Sequence, residues 1–278
     1  MSRVTLKYRF YYTAFVLDCQ DAPRKFCVYT ILGVVFLKTV WYTCHDVSKG
    51  GDPVNGFRYE NKYFISRAGY LQLKARLDAG LCKDAHTAHP DGAYFIRSLY
   101  FDDFEQTGLL DKVEGVQKRE KFRIRFYDMD DSFIRLECKQ KLDQMTRKFS
   151  APLTREQTDA ILRGDVWWMH DSEHALIRNF YSKYRTRLLR PMVIVDYYRE
   201  AYVFQDVRIT FDRDIHSGRY CVDLFERDLP SVPVFPSDRL VIEVKYDDAL
   251  PYAVRQLLKT VPMSRNAISK YELCRKMQ

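Results

Sequence analysis

The chain has 278 residues, enough for one large domain or two small ones with a sizeable core. A hydrophobic fraction of 46% and an aromatic fraction of 15%, with 11 Gly and 10 Pro, exclude a disordered, collagen-like or linker-rich chain. The net charge of +8, from 45 Lys and Arg against 37 Asp and Glu, points to an anionic partner without choosing between nucleic acid, acidic lipid and phosphate.

Residues 1–56 differ from the rest: they hold no Glu and three of the seven Cys. Their apolar run, Phe26 to Leu37, has about a dozen residues, short of the roughly 20 that span a bilayer. Arg24 and Lys25 precede the run as in a signal peptide, but no small-residue cleavage site follows. The segment reads as an N-terminal extension with no partner in the fold; a weak hydrophobic anchor over residues 26–44 is the alternative. "SKGGDPVNG" (48–56) is turn and linker chemistry, so the domain is expected over residues 57–278. The cysteines (Cys19, Cys27, Cys44, Cys82, Cys138, Cys221 and Cys274) are odd in number and contain no CxxC. That predicts free thiols in a reducing compartment, here the cytoplasm, with membrane contact only through the extension. His170 and His174 are four apart, but "HDSEH" is not a zinc-binding HExxH.

From Phe57 onward short runs alternate with period two. "FRYENKYFI" (57–65) puts Arg58, Glu60 and Lys62 on one face. "KFRIRFYD" (121–128) sets Arg123 and Arg125 against Phe122, Ile124 and Phe126. "IRLECKQK" (134–141) sets Arg135, Glu137, Lys139 and Lys141 against Ile134, Leu136 and Cys138. "VRITFDRD" (207–214) groups Arg208, Thr210 and Asp212; "LVIEVKYD" (240–247) groups Glu243 and Lys245. Each is a strand with two unlike faces. Helical spacing occurs at 67–79, 154–163, 173–184 and 251–261. Asp102 or Asp103 is placed to cap the element after it.

Charged faces on five strands fit either an open sheet with one solvated face or a closed barrel with a charged lumen and helices outside. A lumen of Arg and Lys needs counter-charge, from an anion or from interleaved carboxylates such as Glu60, Glu137 and Glu243. Phosphate suits convergent Arg and Lys side chains best. No GxxxxGK[ST] or GxGxxG occurs, so side chains would bind it without a glycine-rich cradle. Nucleic-acid binding would need basic residues mixed with exposed aromatics; here the aromatics fall mostly on the apolar faces, and no nucleic-acid partner is expected.

Eight pieces in order resemble the triphosphate tunnel metalloenzyme superfamily and, more narrowly, the VTC domain, the polyphosphate polymerase domain of the vacuolar transporter chaperone complex and its bacterial relatives. They are "RYENKYFI", "RSLYFDD" (97–103), "KFRIRFYD", "IRLECKQK" with "RKFSAPL" (147–153), "RPMVIVDYYREAY" (190–202), "VRITFDRDI", "VIEVK" and "AISKYELC". The resemblance covers residues 57–278. It implies an α+β fold, an antiparallel eight-stranded β-barrel flanked by helices, with a basic tunnel for a nucleotide triphosphate and a growing polyphosphate. Carried over, it makes Lys62, Arg123, Arg125, Lys139, Lys148, Arg199, Arg208 and Lys270 the catalytic phosphate-binding set. Arg58, Arg135, Arg147 and Lys245 would support it. Glu243, with Glu60 and Glu137, would hold Mn²⁺ or Mg²⁺. The frame Arg58-x-Glu60-x-Lys62 replaces the superfamily's ExExK, as suits the VTC branch. Ala267 stands where eukaryotic members carry a lysine, with Arg265 the nearest substitute.

The function implied is a metal-dependent polyphosphate polymerase that moves the γ-phosphate of ATP onto polyphosphate or phosphate. The alternatives are a tripolyphosphatase or nucleoside triphosphatase on the same tunnel, which a water-activating carboxylate would favour, and a non-catalytic polyphosphate-binding module. Eleven basic residues (all those named for the tunnel except Arg147) less the three glutamates carry the whole charge of +8, so the remainder of the chain balances.

Overall fold

Alternating charged and apolar residues build long antiparallel strands that close on themselves. The structure, a computed structural model, describes residues 56–84, 92–143, 145–218 and 220–278, and the backbone of three N-terminal strands. Those are β1 (Thr13–Leu17), β2 (Phe26–Ile31) and β3 (Val34–Phe36), an antiparallel sheet of their own in that order. Two stretches of the apolar run are therefore strands. The rest of residues 1–55, with the remainder of the expected anchor (26–44) and all but Gly56 of the linker (48–56), lies outside the described residues. Among the described residues no helix is long and apolar enough to cross a membrane.

The main sheet starts with β4 (Arg58–Ser66) and continues through β6 (Tyr94–Asp102), β7 (Lys118–Tyr127), β8 (Asp130–Leu142) and β9 (Met145–Leu153). It is completed by β10 (Arg190–Phe204), β11 (Val207–Gly218) and β13 (Arg239–Tyr246). These eight pair antiparallel in the cyclic order β4-β9-β8-β7-β6-β10-β11-β13 and back to β4, a closed ring. Three short strands attach to it: β5 (Cys82–Lys83) to β10, β12 (Ser231–Pro233) to β11, and β14 (Ser264–Arg265) to β4. The β7–β8 hairpin turns through Asp128 and Met129, both at positive φ, as a two-residue turn matched to strand twist requires.

One seam of the ring is short. β4 meets β9 only at Arg58 and Tyr59, whereas its Tyr63 and Phe64 pair with β14. That wedge leads into helix α6 (Lys270–Arg275).

Five further helices lie around the ring: α1 (Arg67–Gly80), α2 (Thr107–Val113), α3 (Arg155–Arg163), α4 (Ala175–Thr186) and α5 (Tyr252–Leu258). The four helices expected from spacing are present. α1 begins where Ser66 Oγ accepts from Gly69 N, and α3 begins with a Thr154–Gln157 capping box and ends at Gly164 in the left-handed region. Asp102 and Asp103 cap α2 as expected, accepting from Gly108, Leu109 and Thr107 amides.

The apolar faces point outward and are covered. α3 and α4 pack over β7, β8 and β9 through Ile161, Ile177 and Phe180 against Phe122, Ile124, Leu136 and Cys138. α1 and α5 pack over β11 and β13 through Leu73, Leu77, Val254 and Leu258 against Ile209, Phe211, Ile242 and Val244. Leu73 and Leu77 are fully buried, and each contributes about 1.5–3 kcal/mol by leaving water. A third cluster, Tyr100, Val195, Tyr197, Val241, Ile268 and Tyr271, lies on the inner face, where the α6 segment joins it.

Candidate functional site: the charged lumen

Cross-strand partners share a face, so the register carries one face around the ring. Lys62 is opposite Glu243, and Glu243 is opposite Thr210. Arg208 is opposite Lys245, and Asp212 is opposite Arg199. Arg199 is opposite Tyr94, on the same face of β6 as Ser98 and Tyr100. These two are opposite Arg125 and Arg123. Arg123 is opposite Glu137, and Lys139 is opposite Lys148. Thr146, on the same face as Lys148, is opposite Arg58, which returns to the face of Lys62. The charged faces read from separate strands are one inner surface, and the barrel alternative is the correct one.

Three carboxylate-centred clusters neutralise part of that surface. Glu137, 3% exposed, accepts from Arg123 Nε at 2.7 Å and pairs with Lys148 at 3.2 Å, with Arg125 at 3.9 Å. Tyr100 OH accepts from Arg123 at 2.8 Å, and Tyr197 OH accepts from Arg125 at 2.8 Å, which fixes both guanidinium planes. Glu60 pairs with Lys139 at 2.6 Å and Lys62 at 2.9 Å, and Glu243 with Lys245 at 3.3 Å. Asp212, fully buried, takes both arms of Arg199 at 2.6 and 2.8 Å and Lys270 Nζ at 2.5 Å. Lys270 comes from α6, so that helix supplies lumen charge as well as apolar filling.

Electrostatics fixes the charge states. Burial and Glu243 push the Glu60 carboxyl up, but Lys139, Lys62 and Lys245 outweigh them and hold it at about 2. Burial also resists ionisation of Asp212, yet Arg199 and Lys270 hold it at about 2. Glu137 and Glu243 lie well below the usual carboxylate range, against burial, under Arg123 and Arg125 in one case and Lys245 and Lys62 in the other. Burial pushes Lys139 down to about 8 and Lys121, with Arg119 beside it, down to about 7.

Of the residues singled out in the sequence, most converge here. Arg208 sits near the β10–β11 turn, bonded to Asp84 at 2.8 Å and Tyr94 OH at 3.2 Å. Arg58 is at the rim, 2.5 Å from Asp247, and Arg135 stacks on Phe133 at 4.6 Å. Arg147 is not in the lumen. It is opposite Gln140 on the other face and lies over Phe149 at 4.6 Å, because Lys148 takes the inward position and alternation turns its neighbour out. Arg265 does not replace the lysine missing at Ala267: it is exposed and donates to Asn61, on the outward face of β4.

Several inner-face groups escape sequence reasoning. Asp212 and Lys141 fall on charged faces, but nothing local gives them a role. Lys121 and Arg119 precede Arg123 at period two, a signal that would have found them. Tyr100 and Tyr197 carry none, because β6 and β10 are buried on both faces and hide their alternation.

Among the described residues no group of three His, Cys, Asp or Glu side chains could by itself hold a metal ion. Mg²⁺ and Mn²⁺ at phosphate sites need only one or two carboxylates, the rest being phosphate and water oxygens. Glu60 and Glu243, close enough to disturb each other's ionisation, fit that donor set. Glu137 is engaged by three cations, Arg123, Arg125 and Lys148, against two, Lys139 and Lys62, on Glu60.

Comparison with known proteins places the chain in a family. The model of the VTC domain matches residues 57–277. No curated protein matches the chain. Among solved structures, a candidate adenylate cyclase from Bacillus halodurans is 14% identical, with 74% of this chain and 89% of that one covered at a TM-score of 0.47. A Hippeastrum protein, described as a candidate adenylyl cyclase with a dominant triphosphatase activity, is 14% identical over 80% and 96% at 0.49. A Pyrococcus horikoshii protein is 9% identical over 78% and 98% at 0.44.

Proposed function

The chain belongs to the VTC domain family, and from that premise we propose that it is a polyphosphate polymerase, transferring the γ-phosphate of ATP to inorganic phosphate or a growing polyphosphate. The observation that carries this reading is the closed inner face on which Lys62, Arg123, Arg125, Lys139, Lys148, Arg199 and Lys270 converge. The triphosphate lies along the arginines and lysines, which neutralise the charge that spreads over the equatorial oxygens during transfer. A terminal oxygen of the acceptor attacks the γ-phosphorus in line and ADP leaves. Glu60 and Glu243 would hold Mg²⁺ or Mn²⁺, which supplies Lewis-acid neutralisation of phosphate oxygens when bound.

The carboxylates bear on the choice between transfer and hydrolysis. Glu60 at about 2, and Glu137 well below its ordinary range, are poor bases for activating water. An anionic acceptor needs no such base. Hydrolysis on the same lumen would have to draw its nucleophile from metal-bound water instead. Incubation with ATP and Mn²⁺ tests the transfer reading: long-chain polyphosphate and ADP are expected, and orthophosphate as the only phosphorus product sinks the proposal.

A further inference from the structure

The β7–β8 hairpin carries an arrangement that a sheet ordinarily avoids. Its inner-face pairs are Arg119 opposite Lys141, Lys121 opposite Lys139, Arg123 opposite Glu137 and Arg125 opposite Arg135. Three of the four set like charges face to face, which destabilises a ladder unless something lies between them. Lys148 extends the row onto β9, opposite Lys139.

Lys139 and Lys148 have carboxylates in Glu60 and Glu137. The groups nearest the rim have no carboxylate in direct contact, although Asp111 and Glu272 act on Arg119 from a distance. Lys121 has only the Ser269 hydroxyl at 3.5 Å and the Tyr271 ring at 4.6 Å. Arg119 donates to the Asp111 carbonyl at 3.0 Å. The surroundings of Lys121 do not repair this. Asp102 on β6 already accepts from two α2 amides and from Tyr271 OH at 2.5 Å. On α2, Lys112 adds another cation, 3.5 Å from Glu272 of α6. Burial and the cations Arg119, Lys112 and Lys139, opposed by Asp102, push Lys121 down to about 7, so the free protein holds it only partly charged near neutrality.

We propose that Arg119, Lys121 and Lys141 form a second anion subsite, at the end of the lumen covered by α2 and α6, which takes the phosphates beyond those held by Arg123, Lys139 and Lys148 and so makes binding depend on chain length. The inference rests on the lumen being a polyphosphate site and adds the direction in which the chain extends. An arriving phosphate supplies the missing counter-charge, and Lys121 takes up a proton from solvent as it binds.

The test compares tripolyphosphate with a longer linear polyphosphate on the full chain and on Lys121→Met, whose aliphatic replacement keeps the packing on Tyr271. Lys141→Gln on the same row is the second variant. Each substitution is expected to weaken the long chain about tenfold while tripolyphosphate stays within about twofold. Calorimetry at pH 8 in buffers of different ionisation enthalpy reads the second signature. Long-chain binding to the unmodified protein is expected to take up more protons than binding to Lys121→Met. Equal losses for both anions, or no loss in either variant, overturn the subsite and leave the lumen reading standing. Failure of the unmodified protein to bind either anion overturns both.

Discussion

At the scale of single residues, the lumen is a set of cations held in place by buried carboxylates. Arg123 is the best oriented, with Glu137 on one side of its guanidinium and Tyr100 OH on the other. Arg123→Ala is expected to lose about 2–4 kcal/mol of transition-state stabilisation, read as kcat/KM for phosphoryl transfer in a variant whose thermal midpoint shows it folded. The carboxylates also tie stability to pH. Glu60 and Asp212 are held at about 2 in the folded state, below ordinary values of 4.5 and 3.8. Their contribution is present above the ordinary values and is lost as pH falls towards 2. Urea midpoints measured from pH 5 downward should therefore drop, and Asp212→Asn should flatten that slope. The same variant leaves Lys270 without its buried carboxylate and Arg199 with Glu243 alone, 3.8 Å away, so it should be destabilised by about 3–5 kcal/mol at neutral pH.

At the scale of elements, the informative contrast is between strands with one buried face and strands with two. β7, β8 and β13 expose their alternation in sequence because one face meets helices and the other meets charge. β10 reads as a continuous apolar and aromatic run, since Ile194 packs outward and Val193, Val195 and Tyr197 pack inward. Its lumen residues are legible only through Arg199. α6 is equally silent. Six residues are too few for a periodic signal, and its position depends on the β4–β9 seam leaving room for β14. Local chemistry is more readable at α3, where Thr154 and Gln157 begin the helix and Gly164 ends it at φ +82°. Gly164→Ala puts a Cβ in the left-handed region and should cost about 1–2 kcal/mol in urea denaturation, with little effect on anion binding.

At the scale of the molecule, the ring and its apolar clusters are assembled from residues 58 onward, with the charged layer enclosed between them. A chain beginning at Gly56 is expected to unfold cooperatively and to bind tripolyphosphate with the affinity of the full chain. Loss of either in that chain would show that the N-terminal segment completes the domain. The net charge of +8 also changes meaning. The excess does lie largely inside, but the balance drawn from sequence is incomplete. Arg119, Lys121, Lys141 and Asp212 belong to the inner face as well.

By itself the sequence determined which residues share a face of each strand, because a period of two leaves a charged side and an apolar side no other arrangement. It also determined the main helices, through spacing and caps. Only the tertiary structure decided that those faces close into one lumen, since closure depends on register between strands distant in the chain. It alone paired Glu137 with Arg123 and Lys148, and Asp212 with Arg199 and Lys270. It alone left Lys121 opposite another lysine with no carboxylate paired to it. Such choices are made by cross-strand geometry and desolvation, which no local pattern of residues encodes.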